Sequence, residues 1–229
     1  MFIATASIGA KLPFATDLTF AQQSPGLVTS ATFSSQSIGA AAASRVVVIR
    51  ATLFNTTSSR SLASITLDGN VMNLETQANN VAPASLRVTS AIAWLPYPTG
   101  TTGTFVVTVT GVEITATWGI HPVALYDLRV ASPTASGSTD TAGSAASSLS
   151  LNLNRLGGSI QVLCRAGSGT TGIYSSTGFT SHTHTMGSFA AGAVQQDGLD
   201  QEQAAATPAA FDSNTSTVQW GAFSGTTWR

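Results

Sequence analysis

Charge is scarce in this chain. Of 229 residues, nine are Lys or Arg and ten are Asp or Glu, 8% of the total, against roughly 25% in an ordinary soluble domain. Lys11 is the only lysine, and the net charge is −1 with histidine neutral. Gripping a phosphate backbone takes a basic patch or stripe, and here the bases are dispersed from Lys11 to Arg229, so no nucleic-acid partner is expected. Cysteine is nearly absent as well. Cys164 stands alone, which rules out an intrachain disulfide and leaves stability to packing. Inside Ile160–Cys164 that thiol reads as a core hydrophobe. Long apolar runs are missing: Ala91–Pro96 and Ala40–Ala43 fall far short of the roughly 18 residues that cross a bilayer, so no membrane span is expected. No base precedes Lys11, so the basic region of a secretory signal is missing and residue 1 reads as the true start.

Hydroxyls take the place of charge. Ser occurs 29 times and Thr 33 times, beside 21 glycines. Such a composition invites a disordered reading, and the apolar periodicity argues against it. Val46–Phe54 is β-branched and aromatic and runs into the turn formers Asn55–Ser59. Leu62–Leu67 leads through Asp68–Gly69 to Val71–Leu74, and Asp-Gly supplies the positive φ angles of a tight hairpin. Leu86–Trp94 is stopped by Pro96 and Pro98. In Thr104–Thr110, Phe105, Val107 and Val109 share one face, and Glu113–Trp118 and Val123–Leu128 continue the pattern. No apolar stripe of helical period runs for ten residues. The expected fold is all-β, an antiparallel β-sandwich of jelly-roll or Greek-key type with long Ser/Thr/Gly-rich loops.

Pro133–Ser148 has the composition of a linker. The hairpin beyond it, Leu149–Leu153 and Ser159–Cys164, is too small to fold alone. A single domain over 1–229 is therefore expected, with 1–25 as an N-terminal arm and 166–215 as a loop-rich insertion. Edge strands are commonly protected by lysines and other charges. With one lysine these edges look undefended, which points to a homo-oligomer that covers them.

Motifs with chemistry are few. In Ser181-His182-Thr183-His184-Thr185, strand alternation puts both imidazoles on one face, about 7 Å apart. They make a pair of metal ligands only if a symmetric oligomer brings copies together; otherwise they are surface histidines. Asp197-Gly198-Leu199-Asp200-Gln201-Glu202 holds three carboxylates without calcium-loop spacing, and reads as a solvated loop or the start of a short helix through Gln203–Ala206. No nucleophile elbow is present, and Glu75, Glu113 and Asp127 are scattered, although Glu113 and Asp127 would meet if their strands paired. No catalytic residue and no cofactor are expected; the chain has no glycine-rich phosphate loop with lysine. Trp94 and Trp118 are expected in the core, while Tyr174 and Trp228 sit in polar surroundings as candidate sugar or receptor contacts. Asn55-Thr56-Thr57 and Asn214-Thr215-Ser216 match glycosylation acceptors, a match nearly expected by chance in such a composition.

Three stretches carry a resemblance: Ala43-Ser44-Arg45-Val46-Val47-Val48-Ile49, then Ser64-Ile65-Thr66-Leu67-Asp68-Gly69, then Ala93–Thr108 with its Pro98-Thr99-Gly100-Thr101-Thr102-Gly103 turn. This order resembles β-sandwich virion proteins of tailed bacteriophages and phage-like particles. In those proteins a "dRLVVV" strand, an "I-x-x-x-G" hairpin and a "P-x-G-T-x-G" turn recur, and the likeness covers roughly residues 26 to 165. The His182-x-His184 element is similar to iron-binding histidines of trimeric phage fibres and needle tips. The resemblance implies a non-enzymatic subunit of a virion (fibre, spike, tail or head decoration). Its partners would be itself and other virion proteins, with host-surface polysaccharide added if it serves attachment. The alternative is a carbohydrate-binding module or adhesin of a secreted protein.

Overall fold

The computed structural model describes residues 12–55, 60–81, 87–112, 114–140, 146–153, 159–168, 180–185, 193–202 and 209–229. Among these there is no helix, and seventeen strands follow one another. They are β1 (Phe14–Asp17), β2 (Ala21–Gln23), β3 (Leu27–Val28), β4 (Ser30–Ser37), β5 (Val46–Asn55), β6 (Leu62–Leu67), β7 (Asn70–Val71), β8 (Asn73–Val81) and β9 (Arg87–Pro96). Then come β10 (Thr102–Val109), β11 (Ile114–Tyr126), β12 (Ala135–Asp140), β13 (Ala146–Leu153), β14 (Ser159–Ser168), β15 (Thr180–Thr185), β16 (Ala193–Glu202) and β17 (Ala209–Trp228).

The chain is an all-β sandwich of antiparallel sheets. A central sheet runs β1-β11-β5-β9-β8, with β2 and β3 also on β11. A front sheet runs β4-β10-β6-β7, and a back sheet runs β12-β17-β14-β16-β15 with β13 on β17. The central sheet is covered on both faces. Val47, Ile49, Ala51 and Leu53 of β5 pack with Trp118 and Ile120 of β11 against Phe33, Ile65, Phe105 and Val107 of the front sheet. The intervening Val46 and Val48 pack with Val123 and Leu125 against Ile160, Val162, Cys164, Leu199 and Trp228 of the back sheet. Every residue of β5 is consequently buried. A strand covered on both faces needs apolar side chains in both phases, which is why Val46–Ile49 is a continuous run. In contrast β10, covered on one face, alternates strictly.

Asp68 and Gly69 both have positive φ, 48° and 80°, as the two-residue hairpin between β6 and β7 requires. The Asp68 carboxylate then ties this hairpin to its neighbours. Its Oδ1 accepts from the Thr104 amide at 2.8 Å, and its Oδ2 accepts from the Tyr97 hydroxyl at 2.9 Å. That hydrogen bond, with burial and the nearby negative charge, holds the Tyr97 phenol above its ordinary 10.0. The folded chain therefore binds this proton more tightly than the unfolded chain. The resulting stabilisation is complete below pH 10 and is lost as pH rises through the raised value. Asp68→Asn should bring the Tyr97 midpoint back down, read from phenolate absorbance in an alkaline titration; an unchanged midpoint would show that Asp68 is not the cause.

Arg45, immediately before β5, is buried, and its guanidinium is held by backbone carbonyls. Its Nε donates to Tyr97 O at 2.7 Å and its Nη1 to Gly39 O at 2.8 Å and Gly100 O at 2.9 Å, while Nη2 donates to Thr99 O. Burial pushes the guanidinium below its ordinary value. Arg45, Asp68 and the Tyr97–Thr104 segment, drawn from the three stretches singled out in the sequence, thus meet at one end of the sandwich.

The strands bear on several expectations. Residues 14–23, expected as an arm, contribute β1 and β2 to the edge of the central sheet. The segment 166–215, expected as loop-rich, contains β15, β16 and the first part of β17. Residues 197–202 lie in β16 rather than at a helix start, because they pair with Ser159–Cys164 of β14; Gln203–Ala206 lie outside the described residues. Edges of the central and front sheets are defended without charge. One side of the central sheet ends in strands of four, three and two residues, and β8 on the other side shifts register between Leu74 and Thr76. In the front sheet, β7 has two residues, and β4 carries Ser35 at φ 54° beside a register shift in its pairing with β10. Short strands and bulges block edge pairing as lysines do.

Candidate functional site

The main polar cluster forms where Pro122 interrupts an edge. β11 pairs with β1 through 123–126 and with β2 through 118–120, and Pro122 lies between. A strand residue presents its N–H and C=O on the same side. Pro122 O accepts from the Leu18 amide at 3.2 Å, so the missing proline N–H falls in the gap between β1 and β2. There the chain from Leu18 to Phe20 leaves the ladder and turns its polar groups to side chains.

Four titratable or charged residues meet at this gap. His121 on β11 and Arg50 on β5 are cross-strand neighbours on the face toward the back sheet. Arg50 is fully buried, pairs with the Asp17 carboxylate, and donates from Nε to His121 O at 3.3 Å. His121 is 2% exposed; its Nε2 lies 2.6 Å from Leu18 O and 3.3 Å from Asp17 Oδ1. His184 of β15 reaches across from the back sheet. Its Nε2 is 3.3 Å from His121 Nδ1, with the two rings edge to face at 5.0 Å, and its ring stacks on Phe20 at 4.0 Å and 4°. Leu18 O can only accept, so His121 carries its proton on Nε2. In the neutral pair, His184 Nε2–H then donates to His121 Nδ1.

His184 is therefore half-buried and engaged within its own chain, which corrects the expectation of a surface histidine. The sequence showed the His-x-His alternation, but nothing local could show that His121, 63 residues away, would face it. The side chain of His182 lies outside the described residues. Among the described residues no group of three His, Cys, Asp or Glu side chains could hold a metal ion.

A second feature is a cleft of 330 Å³ lined by Phe14, Thr16, Ala40, Ala42, Ser44, Tyr126 and Asp127. Phe14 and Tyr126 stack at 4.7 Å and 15°. The Tyr126 hydroxyl donates to Ala40 O at 3.0 Å. Gly39, at φ 78°, is needed there, because a Cβ would lie 2.5 Å from that hydroxyl. At the rim the Ser44 hydroxyl donates to Asp127 Oδ1 at 3.2 Å and accepts from the Asp127 amide at 3.3 Å. Aromatic rings with a polar rim suit a ligand that has one flat apolar face and hydroxylated edges. Sequence reading missed this cleft because Phe14 and Tyr126 lie far apart in the chain and meet only through the β1–β11 register.

The other candidate residues fall elsewhere. Trp228, expected as a sugar contact, is 0% exposed in the core and meets the half-buried Trp94 edge to face at 5.6 Å. The end of β17 pairs with β14, which puts Trp228 under the central sheet. Trp94 Nε1 donates to Glu75 Oε2 at 3.0 Å. Tyr174 lies outside the described residues. Asn55 is buried in β5 and cannot accept a glycan in the folded chain, while the side chain of Asn214 is outside the described set. Glu113 is also outside it. Cys164 is buried and donates to Ala51 O at 3.6 Å.

Comparison with known proteins assigns no family: no family model matches the chain, and neither a curated protein nor a solved structure matches it. Among the described residues no helix is long and apolar enough to cross a membrane.

Proposed function

We propose that this chain is a non-enzymatic structural subunit of a tailed-phage or phage-like virion, part of a fibre, spike, tail or head decoration, and that it self-associates. The observation that carries the reading is how the buried polar side chains are used. Arg45 binds backbone carbonyls, the Asp17–Arg50–His121–His184 group ties strands and sheets together, and Asp68 ties a hairpin to its neighbours. Ser90 and Ser224 meet at 3.0 Å between the central and back sheets. These groups are spent on holding layers together rather than on presenting a nucleophile or an acid–base pair. The hydroxyl-rich, charge-poor composition supports the same reading. Leu27 and Val112, exposed by 62% and 70%, lie near one end of the sandwich, where β3 meets the start of β11, and offer apolar contact without charge.

The Phe14–Tyr126–Asp127 cleft favours a second reading, carbohydrate binding, alone or within an attachment role. One set of measurements separates the two. Sedimentation velocity across a salt series should show an oligomer whose stability changes little between low and physiological ionic strength, because screening acts on exposed charges and hardly on apolar contacts. A chain that stays monomeric at high concentration and binds a glycan with an affinity removed by Phe14→Ala would replace the structural reading with the binding module. Polysaccharide hydrolysis abolished by removing a single carboxylate would replace it with an enzyme.

A further inference from the structure

We propose that Asp68–Gly69 is a latent isoaspartate site: the fold keeps the aspartate intact by anchoring its carboxylate on Thr104 and Tyr97, and loss of that anchor opens it to rearrangement. This inference is independent of any role in a particle. An aspartate followed by glycine is the pair most open to this chemistry, because glycine has no side chain to shield its amide nitrogen. The chain has two such pairs, Asp68–Gly69 and Asp197–Gly198. The second lies inside β16, paired with Leu163 and Cys164 on one side and with Ser181 and His182 on the other. The first is exposed at the tip of the β6–β7 hairpin, and nothing lies within 4 Å of the position a Gly69 Cβ would take.

The reaction needs no co-reactant but water. The Gly69 nitrogen attacks Asp68 Cγ. The N–Cγ bond forms, the Cγ–OH bond of the carboxyl group breaks, and the hydroxyl leaves as water with the amide proton. Water then opens the five-membered imide at either carbonyl. One opening restores aspartate, and the other gives isoaspartate, in which the main chain runs through the former side-chain carbons. The extra main-chain atom in a two-residue turn upsets the pairing of Leu67 with Asn70 and of Thr66 with Val71, on which β7 depends.

Attack requires a carboxyl group free to turn its face onto the nitrogen in an aligned geometry. Here both oxygens are anchored. Oδ1 accepts from the Thr104 amide at 2.8 Å and Oδ2 from the Tyr97 hydroxyl at 2.9 Å, which together fix the side-chain torsions of Asp68. The Asp68 amide donates in turn to Thr104 O at 2.9 Å, so the backbone is held to the same strand. Gly103 permits this close approach of β10, since a Cβ there would collide with Leu67 Cδ1 and lie 3.1 Å from Asp68 Oδ2. Freeing the carboxyl group for attack gives up these hydrogen bonds.

Incubating the full chain in heavy-oxygen water and mapping its peptides tests this, because each passage through the imide adds one heavy oxygen whichever product forms. In the folded chain, uptake at Asp68 should be at least about tenfold slower than in the same chain held unfolded in denaturant. In Tyr97→Phe, which keeps the ring and removes one of the two anchors, uptake at Asp68 should rise about tenfold, the effect of one hydrogen bond to a charged group, while uptake at Asp197 stays unchanged. Equal uptake at Asp68 in the folded and unfolded chain would overturn the proposal. So would a variant no faster than the unaltered chain, or one that gains as much at Asp197, since the whole fold would then have loosened. If the variant does not fold, NMR of the unaltered chain decides: a coupling through the hydrogen bond from the Thr104 nitrogen to the Asp68 carboxyl carbon supports the anchor, and its absence overturns it.

Discussion

Trp118→Ala should destabilise the fold by about 3 to 5 kcal/mol, measured by chemical denaturation. Trp118 is 1% exposed and sits in the core between the central and front sheets. It shares the even face of β11 with Ile114, Ala116 and Ile120, and that whole face is buried. Truncation removes the indole from a site lined by strands on both sides, where neighbouring ladders prevent collapse into the space. The indole N–H adds a second expectation. Trp118 Nε1 is buried with no hydrogen-bond partner. Trp118→Phe removes that unsatisfied donor along with some volume, so its cost should be well under half that of the alanine change. A loss below about 1 kcal/mol for Trp118→Ala would show that the side chain is solvated.

Arg45→Met should cost about 3 to 5 kcal/mol although it keeps much of the side-chain volume. The guanidinium is the donor to Gly39, Tyr97, Thr99 and Gly100 carbonyls, and methionine leaves all four without it. Each buried acceptor left unsatisfied costs about 1 to 3 kcal/mol. Thr99 and Gly100 are in an exposed turn and regain water, so the total falls below the sum. Arg45→Lys should recover only part of the loss, because an ammonium cannot reproduce a planar fork with donors on two sides. Equal stability of Arg45→Met and the unaltered chain would mean that water replaces the guanidinium fully.

Period and turn chemistry made the strands legible. The alternation Phe105, Val107, Val109 identified β10 and its buried face, and Asp68–Gly69 identified a hairpin whose two φ angles are indeed positive. Apolar continuity in Val46–Ile49 marked a buried strand. The same continuity held a message that local reading does not extract, namely that two different sheets cover the two faces. Trp228 shows the limit most plainly. Its polar neighbours Thr226 and Thr227 suggested exposure, yet all three are buried. Pairing with β14 puts this segment inside the back sheet, where the threonines' β-propensity outweighs their polarity.

What the sequence determined by itself was whatever depends on neighbours in the chain: the all-β class, the strand periods, the tight turn, the lack of a disulfide, and the lack of a basic surface. The tertiary structure alone decided which distant residues meet. Phe14 reaches Tyr126 through the register of β1 on β11. Arg45 meets Thr99 and Gly100 across 54 and 55 residues. His184 meets His121 across a boundary between sheets. The reason is physical: a strand's period is written in its own side chains, whereas sheet order, register and the stacking of layers depend on packing between distant segments, which neither segment's own pattern records.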